Sequence, residues 1–288
     1  MEHLTAPATA AGQRLDKALA GLLPQYSRAR LQTWIAAGAV TVNGVLPRPR
    51  DKLAGGETIT VAVAEETVVS AAAQAIPLEI VYEDSAILVI NKPAGLVVHP
   101  GAGNPAGTLL NALLHHAPEL AKLPRAGIVH RLDKDTSGLL VVARKLEVHA
   151  ALVGAMQARL VEREYEAVVC GVMTAGGTVD AAIGRHPQDR KRMTVRANSG
   201  RGERAAVTHY RVLERFRAHT YVRVKLETGR THQIRVHFQH IRFPIVGDPV
   251  YGRRLALPPR ARPELEAVLR AFRRQALHAR RLALSHPL

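Results

Sequence analysis

Cysteine is nearly absent. Cys170 stands alone among 288 residues, so one chain can form neither an internal disulfide nor a thiolate metal cluster. Aromatic residues make up only 4%, with Trp34 the sole tryptophan, which gives little material for a platform that stacks successive bases. Any RNA contact would therefore rest on arginine, backbone groups and shape. Apolar runs are short everywhere, and none is long enough to span a bilayer. The start, MEHLTAPATAAG, carries Glu2 and no apolar stretch of signal-peptide length, so a cytoplasmic location is expected. Acidic residues are also scarce, 24 against 40 basic ones, for a formal charge of +16. Such a surface gains free energy by displacing counterions from phosphates. The 40 basic residues are 8 Lys and 32 Arg, however, and that skew in an Ala-rich chain reflects coding bias as readily as recognition. Charge points to nucleic acid without establishing it.

What is present is 47% hydrophobic residues, enough to bury a sizeable core. Residues 14–63 read as a small unit. Leu15, Leu19, Leu22 and Leu23 recur at helical spacing up to Pro24. A second helix starts at a Ser27 cap and stops at Gly38, with Leu31 and Ile35 inward and Arg28 and Arg30 outward. Val40 and Val42 alternate into Asn43-Gly44, a hairpin signal, and 57–61 read as the returning strand. Residues 64–76 lack periodicity and read as a linker. From Pro77 to residue 288, strand-like runs dominate: LEIVYED, AILVINKP, GLLVVARK, REYEAVVCGV, THYRVLERF and TYVRVKLE. Helical patterns intervene near 108–116, 147–160 and 263–274. Several connections are too short for crossover helices, so the larger domain is expected to be α+β with a mixed or antiparallel sheet.

The segment with the most chemistry is HRLDKDTSG, His130 to Gly138, set between apolar runs. A polar loop between buried strands commonly carries function. Its two carboxylates, Asp133 and Asp135, are not distinguished by composition or spacing. His232, His237 and His240 fit no common zinc spacing, and HPGAGNPAGT lacks the ending of a phosphate-binding loop, so neither metal nor nucleotide cofactor is expected.

The first unit, with RLDKALAGLL, SRARLQTWIAAGAV, TVNG and GGETITV, resembles the S4 RNA-binding domain. HRLDKDTSG resembles the signature of the RluA family of pseudouridine synthases, and the resemblance is nearest to large-subunit members that carry an S4 domain. NKPAGL with VVHP, REYEAVV, LETGRTHQIRVH, VGDPVYG and RRQALHA follow the same family in order. The resemblance implies conversion of uridine to pseudouridine without metal or organic cofactor, on ribosomal RNA, in a protein expected to act as a monomer. It implies Asp133 as the catalytic carboxylate and leaves Asp135 to structure the loop. Tyr165 is implied to lie against the target base and Arg235 to partner the aspartate, opposing the desolvation that would protonate it. Lys92, His130, Arg131, Arg230 and His232, with Arg28 and Arg30 in the first unit, complete the expected RNA-binding set. The Lys92-Pro93 turn is expected to give shape before chemistry. Transfer RNA as substrate, and a non-catalytic RNA-binding assembly factor, are the competing readings. The chain ends where family members continue through another strand and helix, which puts the stability of the C-terminal end in question.

Overall fold

The computed structural model describes residues 2–24, 26, 28–62, 71–101, 103–189, 192–196, 202–252, 257–258 and 260–288. The chain divides into two compact units, Met1–Ser70 and Ala71–Leu288. The Ser27 cap, the Arg30 side chain and linker residues 64–70 lie outside the described residues.

In the first unit, strand β1 (Glu2–Thr5) precedes helices α1 (Leu15–Leu22) and α2 (Arg28–Ala36), then strands β2 (Val40–Val42) and β3 (Thr58–Val61). The unit is thus wider than 14–63, because β1 pairs antiparallel with β3 in a sheet ordered β1-β3-β2. Asn43-Gly44 does form the tight turn, closed by reciprocal Val42–Val45 backbone bonds, but β3 pairs with β2 only after a further loop. Leu15, Leu19, Leu31, Trp34, Ile35, Ile59 and Val61 form the core. Asp16, in the first turn of α1, is fully buried and accepts hydrogen bonds from Arg14 (2.8 Å) and, on α2, Arg28 (3.0 Å). Burial opposes the charge of Asp16. The bonds from Arg14, Gln32 and Arg28 outweigh it and lower its pKa to about 2. Arg28 is therefore exposed but already shared with a carboxylate, which discounts its expected role as a free phosphate contact.

The second unit follows the order β4 (Ile80–Glu83), β5 (Ile87–Lys92), α3 (Leu109–His116), β6 (Ser137–Ala143), α4 (Leu146–Gln157), β7 (Glu162–Cys170), β8 (Gly177–Asp180), β9 (Ile183–Arg185), β10 (Met193–Val195), β11 (Val207–Arg215), β12 (His219–Leu226), α5 (Gln233–His240), α6 (Pro263–Ala271) and β13 (Leu277–Ala283). Eight strands form one mixed sheet, β4-β5-β6-β13-β7-β12-β11-β8, antiparallel except for the β6–β13 pair. Residues 71–76, expected as linker, belong to this unit. Gln74 donates its backbone N–H to Asn111, whose side chain donates to Ala72, so the segment is tied to the start of α3.

The C-terminal strand β13 lies at the centre of the sheet, between β6 and β7. Its approach to β6 depends on Gly138, the last residue of the HRLDKDTSG signature. Gly138 has φ +116°, and a Cβ there would sit 2.3 Å from the Ala279 carbonyl oxygen. Upstream, Arg125, Ala126 and Gly127 have three consecutive positive φ values of 54°, 51° and 78°. Each non-glycine residue so placed costs about 1–2 kcal/mol. That left-handed turn delivers the chain into the loop before β6, and the Ile128–Val142 bridge holds it there.

Because the obstruction at Gly138 is backbone, Gly138→Ala should destabilise the full chain by about 2 kcal/mol or more, read from the denaturant midpoint. An unchanged midpoint would mean that β6 and β13 can part without loss.

Candidate active site

A cleft of about 820 Å³ opens on one face of the large sheet. The loop before β6 contributes Arg131 and Asp133, β7 contributes Arg163 and Tyr165, and the β12–α5 connection with α5 itself contributes Arg230, His232 and Arg235. Alternation along β7 puts Arg163 and Tyr165 on the cleft face and Glu162, Glu164 and Glu166 on the other. The arginine follows His232, whose φ of +57° turns the chain into α5, a helix whose Gln233, Arg235 and His237 are all buried.

Arg235 is the junction of the site. Its Nη1 donates to Asp133 Oδ2 at 2.9 Å, while Nε and Nη2 donate to both oxygens of Asp248 at 2.7 and 3.0 Å. Arg235 and Asp248 are 5% and 6% exposed, whereas the side chain of Asp133 is 18% exposed and faces the cleft. Burial works against the charge of Arg235. Hydrogen bonding and charge from Asp248, then Asp133, reverse that and raise its pKa. Burial likewise opposes the Asp248 carboxylate, and Arg235 together with the N–H groups of Tyr251 and Val250 holds its pKa down.

The same turn supplies a second arm. Tyr251 accepts from the Met193 N–H at 2.8 Å and lies 2.8 Å from Nδ1 of His232, whose Nε2 faces Asp133 Oδ1 at 4.0 Å. Burial lowers the His232 pKa, with Asp133 acting in the opposite sense, so the ring is placed beside the carboxylate rather than out at the surface. Asp248 and Tyr251 belong to VGDPVYG, a segment whose resemblance to the family assigned no role to either residue. Gln233 orders the approach to the helix by accepting from the Arg230 N–H at 3.0 Å and donating to the Val207 carbonyl and to Thr208.

Tyr165 is 7% exposed, and burial raises its pKa to about 12, so it remains a neutral phenol in the wall beside Asp133. Arg131 is exposed on the cleft rim, and Arg230 donates Nε to the Ala205 carbonyl while remaining partly exposed. Two other expected RNA contacts are engaged by the fold itself, although His130, half-buried, also lines the cleft. His130 accepts the Val141 N–H at 3.1 Å, and burial takes its pKa down to about 3, leaving a neutral ring that ties the loop to β6. Lys92 is fully buried. Its Nζ donates to the carbonyls of Pro93 (2.7 Å), Leu96 (2.9 Å) and Lys134 (3.0 Å), thereby fixing the residue next to Asp133. Two of the oxygens it gathers belong to its own turn, and the third arrives from a segment 42 positions away, which the local sequence does not show. Asp135 makes no side-chain hydrogen bond among the described residues; its charge, with that of Asp133, partly offsets the burial of Lys92.

Burial lowers the Lys92 pKa to about 8 from an ordinary 10.5. Between those values the unfolded chain holds more of this proton than the folded one, so Lys92 makes stability rise with pH across that window. Lys92→Met should lose that rise and, by stripping three carbonyls of their donor, destabilise the chain by about 1–3 kcal/mol. The salt dependence of RNA binding should not change. A flatter salt dependence would restore Lys92 to the RNA surface.

Comparison with known proteins agrees with this architecture. A model of the RNA pseudouridylate synthase family matches residues 86–240, and a model of the S4 domain matches residues 13–59. Ribosomal large subunit pseudouridine synthase D of Pseudomonas aeruginosa is 60% identical over 276 residues, covering 96% of this chain and 85% of the relative. The protein of the same name from Escherichia coli K12 is 55% identical over 278 residues, covering 96% and 84%. Among solved structures, human RNA pseudouridylate synthase domain containing 4 is 31% identical with a TM-score of 0.56, over 72% of this chain and 84% of that one. Human RNA pseudouridylate synthase domain containing 1 is 27% identical with a TM-score of 0.57, over 74% and 80%. The chain belongs to the RNA pseudouridylate synthase family, with an S4 domain ahead of the synthase domain.

Proposed function

We propose that this protein converts uridine to pseudouridine in large-subunit ribosomal RNA, with Asp133 as the essential carboxylate, Tyr165 against the target base and Arg235 holding the carboxylate. The observation that carries the assignment is the Asp133–Arg235–Asp248 chain at the floor of a cationic cleft: one carboxylate faces the cleft while its partner is buried and doubly anchored. The relatives named for the ribosomal large subunit, similar over nearly the full length, support that substrate class and, with it, a cytoplasmic site of action.

The reaction breaks the bond from ribose C1′ to uracil N1 and rejoins C1′ to C5, with loss of the C5 proton and gain of one at N1. It is a net isomerisation. A stacked uridine presents these atoms poorly, so the nucleotide is flipped into the cleft at a cost of a few kcal/mol. Tyr165 replaces part of the lost stacking, and its neutral phenol adds no charge beside Asp133. The S4 domain adds affinity through exposed Arg48 and Arg50.

Purified protein incubated with unmodified large-subunit RNA should produce pseudouridine at clustered uridines of a stem-loop, and Asp133→Asn should produce none while retaining the wild-type melting temperature. Asp135→Asn should retain activity. Near-normal turnover by Asp133→Asn would remove the catalytic assignment, and modification of transfer RNA alone would redirect the substrate.

Arg235→Lys keeps the charge but lacks the fork that reaches both carboxylates at once. Asp248→Asn keeps the shape of the anchor and removes its charge. Each should lower kcat, by up to about 10²-fold, with the KM for RNA little changed, because misplacing a reacting group costs rate rather than affinity. A rise in KM at constant kcat would instead make Arg235 an RNA contact.

A further inference from the structure

Arg163 stands out in the cleft because, among the described residues, its guanidinium has no ion-pair or hydrogen-bond partner. Its Nε is shut off from solvent with no hydrogen-bond partner among the described residues. Of the two carboxylates that line the cleft, Asp133 is engaged by Arg235 at 2.9 Å, and Glu227 by Arg159 at 3.0 Å and His209 at 2.6 Å. The glutamates of β7 point to the opposite face, where Lys225 and Arg281 pair with Glu162. Arg163 therefore adds to a group of like charges: burial, then Arg204, Arg159 and Arg163, all disfavour the protonated form of Arg230. Repulsion of this kind, with an unmet buried donor, is relieved by an anion entering the cleft.

The position of the guanidinium is also prepared. A Cβ on Gly229 would lie 2.6 Å from Arg163 Nη1, so the fork occupies the space that a side chain at 229 would fill. Gly229 has no positive φ, and the three atoms nearest that Cβ all belong to the Arg163 guanidinium. Its missing side chain thus serves Arg163 and not the turn. Arg163 is two residues from Tyr165 on the same strand face, about 7 Å along β7. That offset suits the backbone of a nucleotide whose base lies against Tyr165.

We propose that Arg163, seated against Gly229 and flanked by Arg230, binds a phosphodiester adjoining the uridine held at Asp133. The assignment rests on the cleft accepting an RNA uridine as described above. A guanidinium fork meets two phosphate oxygens at once, which a lysine does not. The subsite fixes the register of the strand, so that one nucleotide and not its neighbour reaches Asp133.

The test is a double-mutant cycle on the full-length protein with an unmodified large-subunit RNA stem-loop, reading kcat, KM and the salt dependence of binding. R163Q should raise KM about tenfold or more, and flatten the log–log salt slope by about 0.7–0.9, the contribution of one phosphate. G229A should raise KM through the displaced guanidinium although net charge is unchanged. Added to R163Q, G229A should do nothing further. R163K should fall between wild type and R163Q. A wild-type KM and salt slope in R163Q, or full additivity of the two substitutions, overturns the subsite while leaving the uridine reading intact. Failure of the wild-type protein to isomerise any RNA uridine overturns that reading and this assignment with it. Melting temperatures close to wild type are required of both variants, and a shared large drop in stability with unchanged KM counts against the subsite.

Discussion

A buried guanidinium cannot give up its proton, so it must be met by negative charge on every side that water does not reach. Arg235 meets that constraint with two carboxylates brought from segments 102 and 13 positions away in the chain. Asp248 takes the Nε and Nη2 edge and is itself anchored by two backbone N–H groups of its own turn. Nη1 is left pointing at the cleft, where it meets Asp133. Loss of Asp248 would leave a buried cation half compensated, and loss of Arg235 would leave a buried anion bare. The three residues therefore form one unit with a rigid end and a reactive end. A buried ion pair is weak evidence for stability, and here its consequence is orientation.

The second constraint is the sheet. The loop that carries Asp133 is held by groups with no part in chemistry: Lys92 gathers three carbonyls, His130 accepts from Val141, and Gln275 donates to Thr136 at 3.1 Å. Gly138 then allows β13 to lie against β6. Most of the HRLDKDTSG signature thus serves position, and the carboxylate inherits its fixed place from backbone contacts on both sides. Strand alternation adds a separation of charge. Along β7 one face pairs its glutamates with Lys225, Arg223 and Arg281, while the other presents Arg163 and Tyr165 to the cleft. Positive charge is compensated on the first face and left for a ligand on the second.

Sequence by itself determined the elements whose side chains alternate or recur without interruption. The runs that became β5 and β6 are continuously apolar over most of their length, β12 is apolar at every second position from Val222, and the Leu15 and Leu19 stripe commits α1 to a core, so local pattern and burial agree. The two-unit order and the α+β class follow from those runs. The motifs also brought Asp133, Tyr165 and Arg235 forward as a set. Sequence did not reveal α5, because HQIRVH buries Gln, Arg and His on partners that arrive from Val207, Thr208, Asp133 and Asp248, and a stripe of polar residues carries no hydrophobic period. Nor did it reveal β13, whose Arg280 and Arg281 read as surface while Leu277 and Ala279 enter the centre of the sheet. Only the tertiary structure decided that Lys92 is an internal strut, that Arg28 is held by Asp16, that Asp248 and Tyr251 stand behind Asp133, and that Arg163 is left without a counter-charge. The deciding quantity is which charge or carbonyl lies within about 3 Å, and for Lys92 with Lys134, Arg28 with Asp16 and Arg235 with Asp133 the partners are 42, 12 and 102 positions apart in the chain.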